Sequence, residues 1–226
     1  MVRAVVFDLW NTLVHSRGGD PFRHLHALLK EAQRPFFPQF KRDAMDKPHV
    51  DAETLLERWR PCLELSENQF QAMAKVFRNA VADTECFPET CQALKSTRAI
   101  ARLALLSNTQ SFDLGFLERL EITELIPTRF LSAETGFLKP QRGAFETVQK
   151  KMNLFPGQLV MVGDSWNDDV QGALKAGWTV LWLNREGRPR PELDPEAELV
   201  EIPDLSRVPT VIEQLQAGAR CSTCLG

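Results

Sequence analysis

The sequence predicts an α/β fold: a doubly wound parallel sheet interrupted by a helical insert. Three observations predict it. Five short apolar runs, at 2–8, 101–107, 129–132, 159–164 and 179–183, are bounded by loops, as strands buried on both faces are. Segments of helical spacing, at 112–120, 143–152 and 170–176, separate most of them, and that alternation is the pattern of a parallel sheet. Between the first run and the second lie roughly seventy residues that carry no strand signal.

The first run, Ala4-Val5-Val6-Phe7, ends at Asp8 and a tight loop through Asn11 and Thr12. The insert follows. Its segments 21–33, 52–60 and 66–82 place apolar residues at helical spacing: Phe22, Leu25, Leu28 and Leu29 in the first, Phe70, Met73, Ala74, Phe77 and Val81 in the last. Ser66 and Gln69 form a capping-box start for that last helix. Ser16-Arg17-Gly18-Gly19-Asp20 and Phe87-Pro88 read as its linkers, while Trp59 and Phe70 read as its core. After Pro203 the pattern predicts a short peripheral helix and then disorder.

Composition narrows the function. The 226 residues are 43% apolar and 25% charged, ordinary for a globular protein. A net charge of -3 with no Lys/Arg block argues against a nucleic-acid partner. The chain enters its first strand at once and has no apolar run of membrane-spanning length, so a cytoplasmic protein with no membrane partner is expected. Cys62, Cys86 and Cys91 are scattered, and the Cys221/Cys224 tail pair offers too few ligands for a closed zinc site. Oligomeric state leaves no mark on the sequence.

In parallel α/β sheets, sites gather beyond the carboxyl ends of the strands. Asp8, Ser107 and Asp164 each sit at such an end, and Lys139 lies in a loop after another. A nucleophile, a hydroxyl, an ammonium and a metal-binding carboxylate would thus share one crevice. A carboxylate ending a buried strand is costly unless it is paired, metal-bound or catalytic.

These residues resemble the four motifs of the haloacid dehalogenase-like hydrolase superfamily. The first stands as Asp8-Leu9-Trp10-Asn11-Thr12, the second as Leu103-Ala104-Leu105-Leu106-Ser107-Asn108, and the third as Lys139-Pro140. The fourth runs from Gly163-Asp164 through Asp168-Asp169 to Gly172-Ala173 and Gly177. The match covers roughly 1–15 and 88–185. The resemblance implies a Rossmann-like core at 1–15 and 88–205, an inserted helical cap domain at 16–87, and a C-terminal tail at 206–226.

The resemblance also implies roles. Asp8 is the expected nucleophile and forms a covalent aspartyl intermediate. Thr12, Ser107 and Lys139 are the expected catalytic and substrate-binding partners, with Asn108 completing the phosphate cradle. Mg2+ is the expected cofactor, held by Asp8, the Trp10 carbonyl, Asp164 and Asp169. Spacing favours Asp169 over Asp168, which reads as a helix-start acid.

Phosphatases of this superfamily usually carry an acid at the position of Trp10. Indole cannot move the proton, and losing such a group typically removes roughly 10²–10⁴-fold in rate. The reading is therefore a magnesium-dependent phosphatase acting on a small phosphate ester or other small anionic substrate. Its acid comes from the insert, with His15, His24 and His26 the candidates near the insert's start, or its substrates carry good leaving groups. The superfamily's 2-haloacid dehalogenases also place an aromatic there but usually lack the fourth-motif carboxylate, which ranks dehalogenation second. A catalytically weak binding or regulatory member is the third reading. Lys30, Lys41 and Lys47 carry no mark of the Schiff-base lysine that phosphonate cleavage needs, and Arg23, Lys30 and Arg34 are candidate contacts for an anion.

Overall fold

The computed structural model describes residues 1–192 and 198–223, with side chains described through residue 218. Among the described residues, eight strands form: β1 (Ala4–Phe7), β2 (Val14–Ser16), β3 (Thr84–Cys86), β4 (Arg102–Ser107), β5 (Arg129–Leu131), β6 (Leu159–Gly163), β7 (Thr179–Leu183) and β8 (Leu199–Ile202). Six of them make one sheet in the order β5-β4-β1-β6-β7-β8, with every pairing parallel. β2 and β3 pair antiparallel in a separate ribbon.

Strand alternation explains the two cores. Val5, Phe7, Leu103, Leu105, Val160, Val162 and Leu181 face one way; Val6, Ala104, Met161 and Val180 face the other. Helices Thr90–Arg98 and Val208–Thr223 lie with the first set, and helix Arg142–Met152 with the second. Both faces are covered, which is why the central strands are continuous apolar runs. The doubly wound parallel sheet is the one the sequence predicts.

The insert between β2 and β3 holds helices Pro21–Leu28, Phe37–Asp46, Ala52–Leu63 and Glu67–Ala82. They enclose their own core of Phe22, Leu25, Phe40, Leu55, Leu56, Phe70, Met73 and Phe77, which Phe112 joins from outside the insert. The Ser66–Gln69 capping box forms as predicted. The insert seats on loops at the carboxyl ends of β4 and β5. Ser111 Oγ accepts from His49 N at 2.8 Å, and Ser132 Oγ donates to Met45 O at 2.6 Å.

Several elements differ from expectation. The predicted helix at 112–120 contracts to Phe116–Arg119, and helices Phe37–Asp46 and Thr90–Arg98 were not anticipated. The helix after Pro203 is neither short nor peripheral: it buries Val208, Val211 and Ile212 in the main core. The Cys221 side chain and Cys224 lie outside the described residues. Cys62, Cys86 and Cys91 are free thiols. Among the described residues, no helix is long and apolar enough to cross a membrane.

Candidate active site

The register of the sheet assembles the site. Phe7 pairs with Leu105 on one side and Val162 on the other, so Asp8 leaves β1 level with the ends of β4 and β6. The Asp8 N–H continues the ladder to Val162 O at 2.9 Å. The chain then turns tightly: Leu13 N and Val14 N both donate to Leu9 O, and Asn11 takes a left-handed φ of 59°. Asn is among the few residues that visit that region readily. The turn leaves Thr12 fully buried, with its Oγ1 3.5 Å from Asp164 Oδ1.

Lys139 stands at the centre of the charges. Its Nζ lies 2.6 Å from Asp8 Oδ1 and 2.6 Å from Asp169 Oδ1. The backbone that carries it is held by Asn108, whose Oδ1 accepts from Lys139 N at 2.7 Å while its Nδ2 donates to Lys139 O at 2.9 Å. Asn108, expected at the substrate, therefore has its amide engaged in placing Lys139. Ser107 Oγ, just before it, is buried without a hydrogen-bond partner.

β6 delivers the other carboxylates. Asp169 is fully buried, and its Oδ2 accepts from Ser165 N at 3.0 Å. Ser165 in turn caps the wide helical turn Trp166–Val170 by accepting from Asp168 N at 3.2 Å. A Cβ on Gly163 would collide with the Asp169 carboxylate, so only glycine lets that side chain lie under the strand end. Gly172 permits a second close approach: a Cβ there would stand 2.5 Å from the Phe145 ring and 3.2 Å from Pro140 Cα. The Lys139 loop can thus approach the fourth-motif helix.

Asp8, Asp164 and Asp169 each place an oxygen within 4.8 Å of the others. One ammonium faces three carboxylates. Asp164 is pushed up to about 6, by burial first and then by Asp8. Burial also pushes Asp169 up, to about 7, with Lys139 opposing. Lys139 is raised as well, since its two carboxylate partners outweigh its burial. Asp168 is raised by burial, but it stands outside the three-carboxylate group. Surplus negative charge on hard oxygen donors fits a magnesium ion.

Trp10 turns toward the loop after β4. Its Nε1 donates to Thr109 Oγ1 at 3.0 Å, and its ring lies 5.4 Å from that of Phe116. The insert histidines make other contacts. His15 packs on Phe87 at 4.8 Å, His26 on Phe37 at 4.9 Å, and exposed His24 meets Asp20 O. Arg23, Lys30 and Arg34 are exposed.

Sequence reading missed three supports. Arg185 donates to Thr12 O at 3.1 Å while pairing with Glu89 at 2.6 Å. Trp182 Nε1 and Arg188 both donate to Asp164 O, at 3.2 and 2.9 Å. These residues lie in or after β7, outside the motif segments, and no local pattern marked them.

A family model described as a hydrolase, haloacid dehalogenase-like hydrolase, matches residues 2–177. The chain is similar to the N-acylneuraminate-9-phosphatase of Mus musculus, 27% identical over 212 residues, 83% of this chain and 84% of that protein. It is also 27% identical to the pyrimidine 5'-nucleotidase YjjG of Escherichia coli K12 over 145 residues, 58% of this chain. The chain spans 64% of that nucleotidase's length, less than two thirds. Among solved structures, the 2-haloacid dehalogenase from Pseudomonas syringae superposes with a TM-score of 0.66 at 21% identity, over 95% of this chain and 99% of that one.

Proposed function

The chain belongs to the haloacid dehalogenase-like hydrolase family, and from that membership we propose that it is a magnesium-dependent phosphatase of small phosphorylated molecules. The observation that carries this reading is the group of three carboxylates, two of them paired with Lys139, together with the unpartnered Ser107 hydroxyl at the end of β4. Such a site carries more negative than positive charge and offers donors to an anion. The relatives named as a phosphatase and a nucleotidase support the same class.

In this reading Asp8 attacks phosphorus, the bond to the leaving oxygen breaks, and an aspartyl-phosphate forms. Thr12, Ser107 and Lys139 hold the phosphoryl oxygens, and Lys139 balances charge as the Asp8 carboxylate becomes an acyl phosphate, a mixed anhydride. Water then attacks phosphorus, the bond from phosphorus to the Asp8 oxygen breaks, and inorganic phosphate leaves with the water's protons, restoring the Asp8 carboxylate. Asp8, Asp164, Asp169 and the Trp10 carbonyl would hold a magnesium ion, which would supply charge neutralisation at the phosphoryl group. Trp10 offers no proton to the leaving oxygen, so stable leaving groups are favoured.

The test is phosphate release from p-nitrophenyl phosphate or acetyl phosphate. It should require magnesium and be abolished in Asp8→Asn. Trp10 supports a second reading, dehalogenation, since halide departs without a proton. Metal-independent halide release from a 2-haloacid, with no phosphate release, would select it. Absence of both activities in a folded protein would select a binding or regulatory role.

A further inference from the structure

A cation stands at the rim of the site on the side away from Lys139, and its placement is built rather than incidental. Buried Asn184 clamps the backbone of Arg188 at both ends: its Oδ1 accepts from Arg188 N at 2.9 Å, and its Nδ2 donates to Arg188 O at 2.9 Å. Asn184 is itself tied to β8, through its own N–H to Ile202 O at 2.9 Å and through Nδ2 to Glu201 Oε1 at 2.6 Å. Gly187, with a φ of 62°, makes the turn between them. Arg188 then reaches back, so that its guanidinium lies 5.9 Å from the Trp182 ring centroid and 2.9 Å from Asp164 O.

The charge of that guanidinium acts on the Asp164 carboxylate, whose raised pKa it opposes. Among the described residues its ion-pair contact is with Glu186 at 3.9 Å, an exposed side chain in the same turn. The Arg188 side chain is 44% exposed. One N–H is used on the Asp164 carbonyl, which leaves the planar fork able to receive a carboxylate. Sheet order sets its place. Ser107 ends β4 on one side of β1, whereas Arg188 follows β7 on the other, beyond Asp164 at the end of β6. The exposed Lys41 of the insert stands 5.8 Å from the Phe22 ring centroid, and its charge acts on Asp168. A second positive charge therefore faces the same loop.

We infer that Arg188 is a specificity residue, and that the preferred phosphate esters carry a carboxylate on the leaving group. The inference deepens the phosphatase reading and rests on it for the position of the phosphoryl group. A charged hydrogen bond of this kind corresponds to about tenfold in affinity or more. Its alternative is a purely structural role, with Arg188 acting as a strut for the Asp164 main chain.

The experiment compares the full chain with Arg188→Met and Arg188→Lys, with magnesium, on phenyl phosphate and its para-carboxy derivative. Phosphate release gives kcat and KM, and titration calorimetry gives binding. The parent should favour the carboxylated ester by about tenfold. Arg188→Met should bring that ratio close to unity through KM, and Arg188→Lys should retain part of it. Equal treatment of both esters by the parent, or a preference that survives in Arg188→Met, overturns the inference. So does a loss of magnesium-induced thermal stabilisation in Arg188→Met, the signature of the strut. Binding that discriminates without any phosphate release retires the phosphatase reading and leaves this one standing. No binding of either ester overturns it.

Discussion

The indole N–H of Trp10 donates to Thr109 Oγ1 at 3.0 Å, and that hydrogen bond anchors the ring on the loop that also carries the insert. Thr109 N donates to Ser132 Oγ, and Ser132 Oγ donates to Met45 O in the insert. Trp10 is therefore packed on the main core at Phe116 and linked to the insert through Thr109 and Ser132. Its main-chain carbonyl is left to the proposed metal.

Replacing Trp10 with Asp restores a proton donor two residues after the nucleophile. We predict that Trp10→Asp raises kcat/KM on alkyl phosphates by about 10²-fold, the lower end of the usual range for general acid–base catalysis. Loss of the Phe116 contact should lower stability by roughly 2–4 kcal/mol. Steady-state rates on an alkyl phosphate, read beside a urea melt, check both. Unchanged or lower rates in a folded variant would sink this account of Trp10.

Gly163→Ala places a methyl group where the Asp169 carboxylate lies. Asp169 is fully buried and pairs with Lys139 at 2.6 Å, so it cannot move aside without breaking that contact. We expect destabilisation of roughly 1–3 kcal/mol from overpacking. Magnesium-dependent activity should fall steeply as well. Equilibrium denaturation indistinguishable from the parent would show that the strand end can yield.

Asp164 gives the metal-free protein an unusual pH dependence. Burial raises its folded pKa from 3.8 to about 6, so between those values the folded state holds more proton than the unfolded one. Stability is then fully present below the unfolded value and declines as pH rises through the folded one. The loss is about 3 kcal/mol once the group is ionised. Magnesium removes the repulsion, so its thermal stabilisation should be larger near about pH 8 than near about pH 5. Melting curves with and without the ion at both pH values test this; an equal gain at both would refute it.

Legibility in the sequence followed how local each signal was. β1, β4, β6 and β7 are readable because burial on both faces leaves a continuous apolar run, and β1 and β6 run straight into the carboxylates Asp8 and Asp164. β8 was missed because Leu199-Val200-Glu201-Ile202 is a half-exposed edge strand with little such contrast. β2 and β3 are three residues each, too short to show alternation. Helix Phe37–Asp46 was hidden by two prolines at its start, Pro35 and Pro38. Asp8, Lys139 and Asp169 meet as their strand ends imply, whereas Asn108, Arg185 and Arg188 act on backbone atoms 31, 173 and 24 residues away. Contacts to distant main-chain atoms carry no residue-type signature.

Asn108 provides the last prediction, because sequence and structure suggest different duties for it. Its amide exchanges two hydrogen bonds with the Lys139 backbone. Asn108→Ala should remove both, lowering stability by roughly 1–3 kcal/mol at about 0.5–1.5 kcal/mol for each. Lys139 would then lose its fixed approach to Asp8, and displacements of about 1 Å in such sites can cost about 10²-fold. The expected signature is a fall in kcat accompanied by a lower melting temperature. A substrate-binding role predicts the opposite split: KM rises while the melting temperature without substrate stays put. Measuring kcat, KM and the substrate-free melt on one preparation decides between positioning Lys139 and touching the phosphoryl group.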